Sequence, residues 1–412
     1  MSSRCQVNSL DIGTTKVCCI IAETGADEPT EILGVGMSPC SGLRKGVVVD
    51  IGETTDAIQN AVRQAVDMAD LDVHSVVVGI TGGHIASLNS RGVTAITHPR
   101  REISDEDIRR VLDVAETIVI PPEREILHTI PREYSVDGQA VAEIPVGMYG
   151  NRLEVEVHVV TGVSTFLQNV LKCVGEAGLS VEEVVFEPIA TAECVLLAAE
   201  KQLGVALVDI GGGTCDVAIY LGGEIYYSGA VPIGGSHVTS DIAIGLRTTI
   251  EEAERVKIAH GCAKVLDTVK SEVFEFTSLG TEELRLLPTK VLAEIIEARA
   301  LEICESVGEH IDKAGCRERL SAGLVLTGGG SQLRGLPDLM SDTLGMPVRL
   351  AVPTGLSGHT DLVKNAACST AVGLIEFWRK HQQCHPGNGH DGRLLEWVER
   401  SVRALLSRIG VS

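Results

Sequence analysis

With 412 residues, 44% of them hydrophobic but only 3% aromatic, the chain has material for two or three domains with cores of Val, Ile, Leu and Ala. A formal charge of −21, from 56 acidic against 35 basic side chains, excludes general nucleic-acid binding and makes any cationic surface a local exception. The twelve cysteines form no Cys-x-x-Cys and no Cys/His cluster at zinc spacing, no apolar leader follows Arg4, and no run approaches transmembrane length; a reducing cytosol is the expected compartment.

In chain order, residues 7–21 read strand, turn, strand, the turn being Asp11-Ile12-Gly13-Thr14-Thr15-Lys16. Lys16 offers a phosphate a point charge. Residues 32–37 and 46–50 read as further strands of the same sheet, and 54–69 carries Ala57, Ile58, Ala61, Val62 and Ala65 at helical spacing. A buried strand over 74–80 ends at Thr81-Gly82-Gly83-His84, where His84 is open between a ligand contact and a structural or exposed place.

From 85 to about 160 the texture changes to one helix on a small sheet. Ser104 and Asp107 have capping-box spacing, Pro121-Pro122 stops the helix, and Asp137-Gly138 marks a turn. The strand over 153–160 alternates, predicting Leu153, Val155, Val157 and Val159 on the core face and Glu154, Glu156 and His158 in solvent. A helix over 164–178 follows, then a strand that runs into a helix at Glu187. That carboxylate either positions water or hydrated metal, or simply favours the helix N-terminus.

The stretch 204–223 repeats the first hairpin: an apolar strand, Asp209-Ile210-Gly211-Gly212-Gly213-Thr214, and a second strand that begins with Cys215-Asp216. Three glycines leave no Cβ between backbone amides and a phosphate tail, and flanking carboxylates can hold a hydrated Mg²⁺. Two such hairpins predict an internal duplication with the turns facing across a cleft. Gly234-Gly235 enters a helix, a place for phosphate, and Glu254 and Lys257 sit at i and i+3 on the next. Residues 290–310 have helical core spacing, and Thr327-Gly328-Gly329-Gly330 makes a third glycine turn. No G-x-x-x-x-G-K-[ST] is present, and neither Asp-Ile-Gly turn leads into a helix as a dinucleotide fingerprint requires.

These three turns resemble the phosphate-one, phosphate-two and adenosine motifs of the superfamily of actin, sugar kinases and heat-shock chaperone ATPases. The resemblance implies an α/β, actin-like two-lobe fold, each lobe a mixed sheet wrapped by helices, with ATP and Mg²⁺ between them. Asp11 and Asp209 would hold the metal through water. Gly13, Thr14, Thr15, Lys16, Gly211, Gly212, Gly213, Thr214, Gly234, Gly235, Gly328, Gly329 and Gly330 would surround the nucleotide, with Glu254 and Lys257 at the ribose and Glu187 orienting water.

Ser90-Arg91-Gly92, Arg101-Glu-Ile-Ser-Asp-Glu-Asp107, Tyr134-Ser-Val-Asp-Gly-Gln139, Gly147-Met-Tyr-Gly150 and Arg152-Leu-Glu154 resemble the bacterial cell-division family FtsA. Residues 140–146 are more apolar than that family's pattern, and Ala298 stands where it has proline. The resemblance implies a first lobe (1A) of 1–84 and 161–203 carrying an inserted subdomain, 1C, at 85–160. The second lobe (2A) is then 204–233 and 311–381, with subdomain 2B at 234–310. Lys290 and Arg299 would contact the acidic C-terminal peptide of FtsZ; read alone, they are two surface cations.

Residues 382–392 read as a flexible linker. Beyond it, Leu394, Leu395, Val398, Val402, Leu405, Leu406 and Ile409 share one helical face, with Arg400, Arg403 and Arg408 outside that apolar row and Trp397 near the boundary. A basic amphipathic helix of this kind suits an anionic phospholipid surface, the alternative being a helix folded back on the body. The resemblance implies a polymer of the chain on the cytoplasmic face of the inner membrane at the division septum, tethering FtsZ filaments and recruiting later division proteins. It implies weak ATPase activity at most. Two other readings stay open: a small-molecule kinase of the same superfamily, which would need a catalytic base, and a pilus-assembly ATPase.

Overall fold

Each Asp-Ile-Gly turn closes an antiparallel hairpin, and the same sheet is built around both. The computed structural model describes residues 4–25, 28–265, 272–280 and 284–383. In the first lobe β1 (Cys5–Ile12) and β2 (Lys16–Thr24) pair from Cys5↔Thr24 to Ile12↔Val17, and β3 (Thr30–Pro39) continues antiparallel. The strand expected over 46–50 is not part of this sheet. Lys45 and Gly46 both adopt positive φ, so the chain reverses there and β4 (Leu43–Arg44) pairs with β5 (Val47–Val48) in a small separate hairpin. Asp50 then caps α1 (Ile51–Ala69) by accepting from the Glu53 amide, and Ala57, Ile58, Ala61 and Ala65 face the sheet. The helix lies so close to β3 that a Cβ on Gly36 would stand 1.8 Å from the Ala61 carbonyl oxygen. β6 (Ser75–Ile80) runs parallel to β1.

The inserted unit comprises β7 (Ala86–Ala95), α2 (Asp105–Glu116), β8 (Arg124–Val136), β9 (Gln139–Val141) and β10 (Arg152–Val163), in sheet order β7-β10-β8-β9. Its core is its own, with Ile108 and Leu112 of α2 packed on Leu153, Val155 and Val157. The Ser104/Asp107 capping box is present, and the helix stops at Thr117, ahead of the prolines. The alternation in β10 describes the core face correctly and the other face incompletely. Glu156 is exposed, but Glu154 is buried between Arg91 and Arg152, and His158 is buried against the second lobe. His158 Nδ1 lies 2.8 Å from Asn89 Oδ1 and its Nε2 lies 2.9 Å from Ser228 Oγ.

α3 (Ser164–Glu176), β11 (Ser180–Phe186), α4 (Glu187–Val195) and α5 (Ala198–Leu203) lead into the second lobe. There β12 (Val205–Ile210), β13 (Cys215–Leu221) and β14 (Glu224–Val231) precede α6 (Gly235–Leu246), α7 (Ile250–His260), the ribbon β15 (Val273–Thr277) and β16 (Leu284–Pro288), and α8 (Thr289–Ala314). β17 (Leu324–Thr327), α9 (Leu336–Leu344) and β18 (Val348–Leu350) complete the sheet. Its order, β14-β13-β12-β17-β18, matches β3-β2-β1-β6-β11 of the first lobe strand for strand, parallel and antiparallel pairings included.

The chain then returns. β19 (Leu356–Gly358) pairs parallel with β3, and after α10 (Thr360–Val363) the long α11 (Ser369–Gln383) packs on α4, where a Cβ on Gly373 would lie 2.3 Å from the Ala190 carbonyl oxygen. Leu374, Ile375, Phe377 and Trp378 are buried in the first lobe's core. The assignment of 311–381 to the second lobe is therefore corrected from Leu356 onward, because α11 supplies apolar cover that β1 and β6 lack without it. The linker expected at 382–392 begins inside α11, which runs through Gln383; the rest of it and the amphipathic helix at 393–412 lie outside the described residues.

Candidate functional site

The two duplicated turns have one backbone design. Gly13 N–H donates to the Lys16 carbonyl at 2.9 Å, and Gly211 N–H donates to the Thr214 carbonyl at 2.9 Å. They face each other, as the duplication predicts, and they nearly touch. A Cβ on Gly212 would lie 2.6 Å from Thr15 Cγ2, and one on Gly213 would lie 2.5 Å from Thr14 Oγ1. Glycine is needed here for approach rather than for φ.

A pocket opens between the turns, lined by Asp11, Gly13, Thr14, Thr15, Lys16, Glu187, Asp209, Gly211, Gly212, Thr214, Gly328 and Gly329, all named from sequence. Gly46, Thr81, Asp216, Ala366, Ala367 and Thr370 line it too. Of these Asp216 is, with Asp209, one of the two carboxylates that flank the second turn in sequence and are expected to hold a hydrated Mg²⁺, and the two pair across the hairpin. Thr370 and the alanines sit in a run of small residues, Asn365-Ala-Ala-Cys-Ser-Thr-Ala371, whose only hint is permission for close packing.

Four carboxylates and one ammonium share this space. Burial, followed by the charge of Asp11, pushes Asp209 up to about 6. Burial, then Asp209 and Asp11, pushes Asp216 up to about 7 against the opposing hydrogen bond from Thr81. Glu187 is driven well above the carboxylate range by burial and then by Asp11, Asp216 and Asp209, while Asp11 is raised by burial with Lys16 opposing. Burial works most strongly against the Lys16 ammonium, but Asp11, 3.6 Å away, together with Cys18, Cys368 and Asp209, raises its pKa overall. Such a set holds either protons or an added cation. Among the described residues no group of three or more His, Cys, Asp or Glu could hold a metal directly.

Other expected residues border the pocket without lining it. Gly235 N–H donates to the Gly211 carbonyl at 2.9 Å, and a Cβ on Gly234 would lie 2.6 Å from that oxygen, so this turn buttresses the second glycine loop. Glu254 and Lys257 pair at 2.7 Å, and Lys257 also donates to the Gly235 carbonyl at 3.2 Å and to Thr239 at 2.9 Å. Gly330 packs over Ile210. His84 is buried edge-on to Phe166 with neither ring nitrogen hydrogen-bonded; burial, helped by Arg124, pulls its pKa down to about 4. It is a neutral structural residue outside the pocket lining.

The model of the cell division protein FtsA matches residues 206–373, and that of the SHS2 domain inserted in FtsA matches 82–161. The FtsA of Pseudomonas aeruginosa is 43% identical over 373 residues, covering 90% of this chain and 89% of that protein. The chain belongs to the FtsA family. The FtsA proteins of Neisseria meningitidis and Bacillus subtilis are 39% and 40% identical, covering 96% and 90% of this chain and 98% and 82% of their own lengths. The fold is actin-like. It is similar to the PilM–PilN type IV pilus biogenesis complex, at TM-score 0.64 and 17% identity over 91% of this chain and 99% of that one. It is also similar to MreB5 of Spiroplasma citri bound to ADP, at TM-score 0.57 and 14% identity over 93% and 99%.

In this FtsA-family chain Lys290 and Arg299 both lie on α8. Lys290 is half exposed, 3.4 Å from Glu294. Arg299 is engaged: its Nε and Nη2 donate to the two Asp241 carboxylate oxygens at 2.6 and 3.0 Å, and Nη1 contacts Glu302. An acidic peptide would meet a guanidinium already paired across α6 and α8. Among the described residues no helix is long and apolar enough to cross a membrane.

Proposed function

We propose that this actin-like cell-division protein binds ATP with Mg²⁺ between its lobes, polymerises on the cytoplasmic face of the inner membrane at the septum, and tethers FtsZ filaments there. The observation that carries the nucleotide half is the pocket itself: two facing glycine turns, four buried carboxylates with raised pKa and a single lysine. Lys16 and the amide of Gly212 would take phosphate oxygens, the Gly13 and Gly211 amides already closing their turns on the Lys16 and Thr214 carbonyls, and Asp11 and Asp209 would hold the metal's water. Bound Mg²⁺ would neutralise phosphate charge; Glu187, at the start of α4, would orient a water molecule. MreB5, whose fold the chain shares, is bound to ADP, which supports the reading.

For the tether, Leu394, Leu395, Trp397, Val398, Arg400, Val402, Arg403, Leu405, Leu406, Arg408 and Ile409 would lie in the lipid interface, with about 1 kcal/mol of attraction per cation. Polymerisation would multiply these weak contacts. Lys290 and Arg299 would receive the FtsZ C-terminal peptide, Arg299 exchanging Asp241 for a peptide carboxylate. The full chain with ATP and Mg²⁺ should carry FtsZ down with anionic liposomes, and a chain ending at residue 392 should leave both in the supernatant. Equal sedimentation of the shortened chain would overturn the tether; no binding of ATP by the full chain would overturn the nucleotide site.

A further inference from the structure

Asp209 is held from the opposite lobe. It stands on β12 of the second lobe, yet its Oδ2 accepts hydrogen bonds from Thr370 of α11 at 3.1 Å and from Thr191 of α4 at 3.3 Å, both first-lobe helices. The two hydroxyls lie 3.2 Å apart, and all three side chains are buried. Oδ1 faces the other way, beside Gly328, where a Cβ would lie only 2.2 Å from it. The glycine keeps that oxygen clear. The network continues inward: Thr327 and Ser369 hydroxyls are 2.7 Å apart, and the Cys194 thiol donates to the Ser369 carbonyl at 3.1 Å.

We infer that Thr370 and Thr191 are positioning residues that hold Oδ2 of Asp209 and so present its Oδ1 to the hydrated metal of a metal–nucleotide; this rests on the nucleotide reading above. Their reach across the cleft gives the carboxylate of one lobe the frame of the other, which carries Asp11 and Lys16. The bond lengths rank them. Three oxygens make three contacts but the two hydroxyls supply two protons. Either hydroxyl could donate in the contact between the threonines, but Thr370 has the shorter bond to the carboxylate, 3.1 Å against 3.3 Å for Thr191. Thr370 therefore matters more.

The test is titration of the full chain with a fluorescent ATP analogue, in MgCl₂ and again in EDTA. Thr370→Val removes the hydroxyl at nearly constant shape and should weaken binding about tenfold in Mg²⁺, as loss of a hydrogen bond to a charged group does, with little change in EDTA. Thr191→Val should lose about threefold under the same conditions, and Thr370→Ser should retain wild-type affinity. Thermal unfolding without ligand reports whether each variant folds. Equal losses with and without Mg²⁺, or none, would overturn the inference. If Thr370→Val does not fold, the Mg²⁺-selective loss in Thr191→Val decides alone, its presence supporting the inference and its absence overturning it. Wild-type protein that ignores the analogue would bring down the nucleotide reading and this inference together; a binding wild type with an indifferent Thr370→Val removes only the inference.

Discussion

The first-lobe and second-lobe turns share a backbone and differ in chemistry. Opposite Asp11 the register places Cys18, while opposite Asp209 it places Asp216. The first turn fills its loop with Thr14, Thr15 and Lys16; the second leaves Gly211, Gly212 and Gly213 bare. One copy brings the positive charge and the bulk, the other brings negative charge and the room for that bulk. Duplication supplied a symmetric frame, and side chains made its halves complementary.

The largest disturbance should come from Lys16→Ala. It leaves four buried carboxylates with no basic partner among the residues lining the pocket, and breaking a buried pair costs about 3–5 kcal/mol. Affinity for Mg²⁺-ATP should fall more than a hundredfold by equilibrium titration, and unchanged affinity would mean that the first turn does not meet phosphate. The second lobe's excess of carboxylate should appear as a pH dependence. Asp209 and Asp216 have folded pKa values raised to about 6 and about 7 from 3.8, so their contribution to stability is complete below pH 4 and is lost as pH rises through 6 and 7. Metal-free protein should melt at falling temperatures across that window, and Mg²⁺ with ATP should flatten the slope; Asp216→Asn should flatten it without either.

Crowding distinguishes the turns next. Gly212→Ala puts a methyl 2.6 Å from Thr15, whereas Gly13→Ala puts one 3.0 Å from the Lys16 carbonyl within its own turn. Overpacking costs about 1–3 kcal/mol, so Gly212→Ala should lower the denaturation midpoint and weaken nucleotide-induced stabilisation more than Gly13→Ala does. Smallest is Thr14→Ala, which removes a long acceptor for the Gly46 amide at 3.3 Å and should cost about 0.5–1 kcal/mol in denaturant unfolding.

What was legible in the sequence was local or repeated. The Asp-Ile-Gly turns, the Ser104 capping box and the stripe of α1 each declare themselves within a few residues, and two copies of one turn announce the two lobes. Three kinds of feature were hidden. Leu356 to Gly358 is too short to say which sheet it joins, and α11 carries an apolar face without naming the surface it covers. The alternation in β10 marks an inner and an outer face, but a second lobe against the outer one is a fact of tertiary packing, and it buries His158. Within the site, Thr81, Thr191 and Thr370 act through single hydroxyls placed by three separate elements, and no linear pattern ties them to Asp209 or Asp216.

The return of α11 also decides the molecule's mechanics. Because that helix is wedged over β1 and β6 and packed on α4, tension applied to whatever follows Gln383 enters through the first lobe, and the load passes directly into the sheet bearing Asp11 and Lys16. The second lobe meets that load at the start of the same helix, where Thr370 holds Asp209.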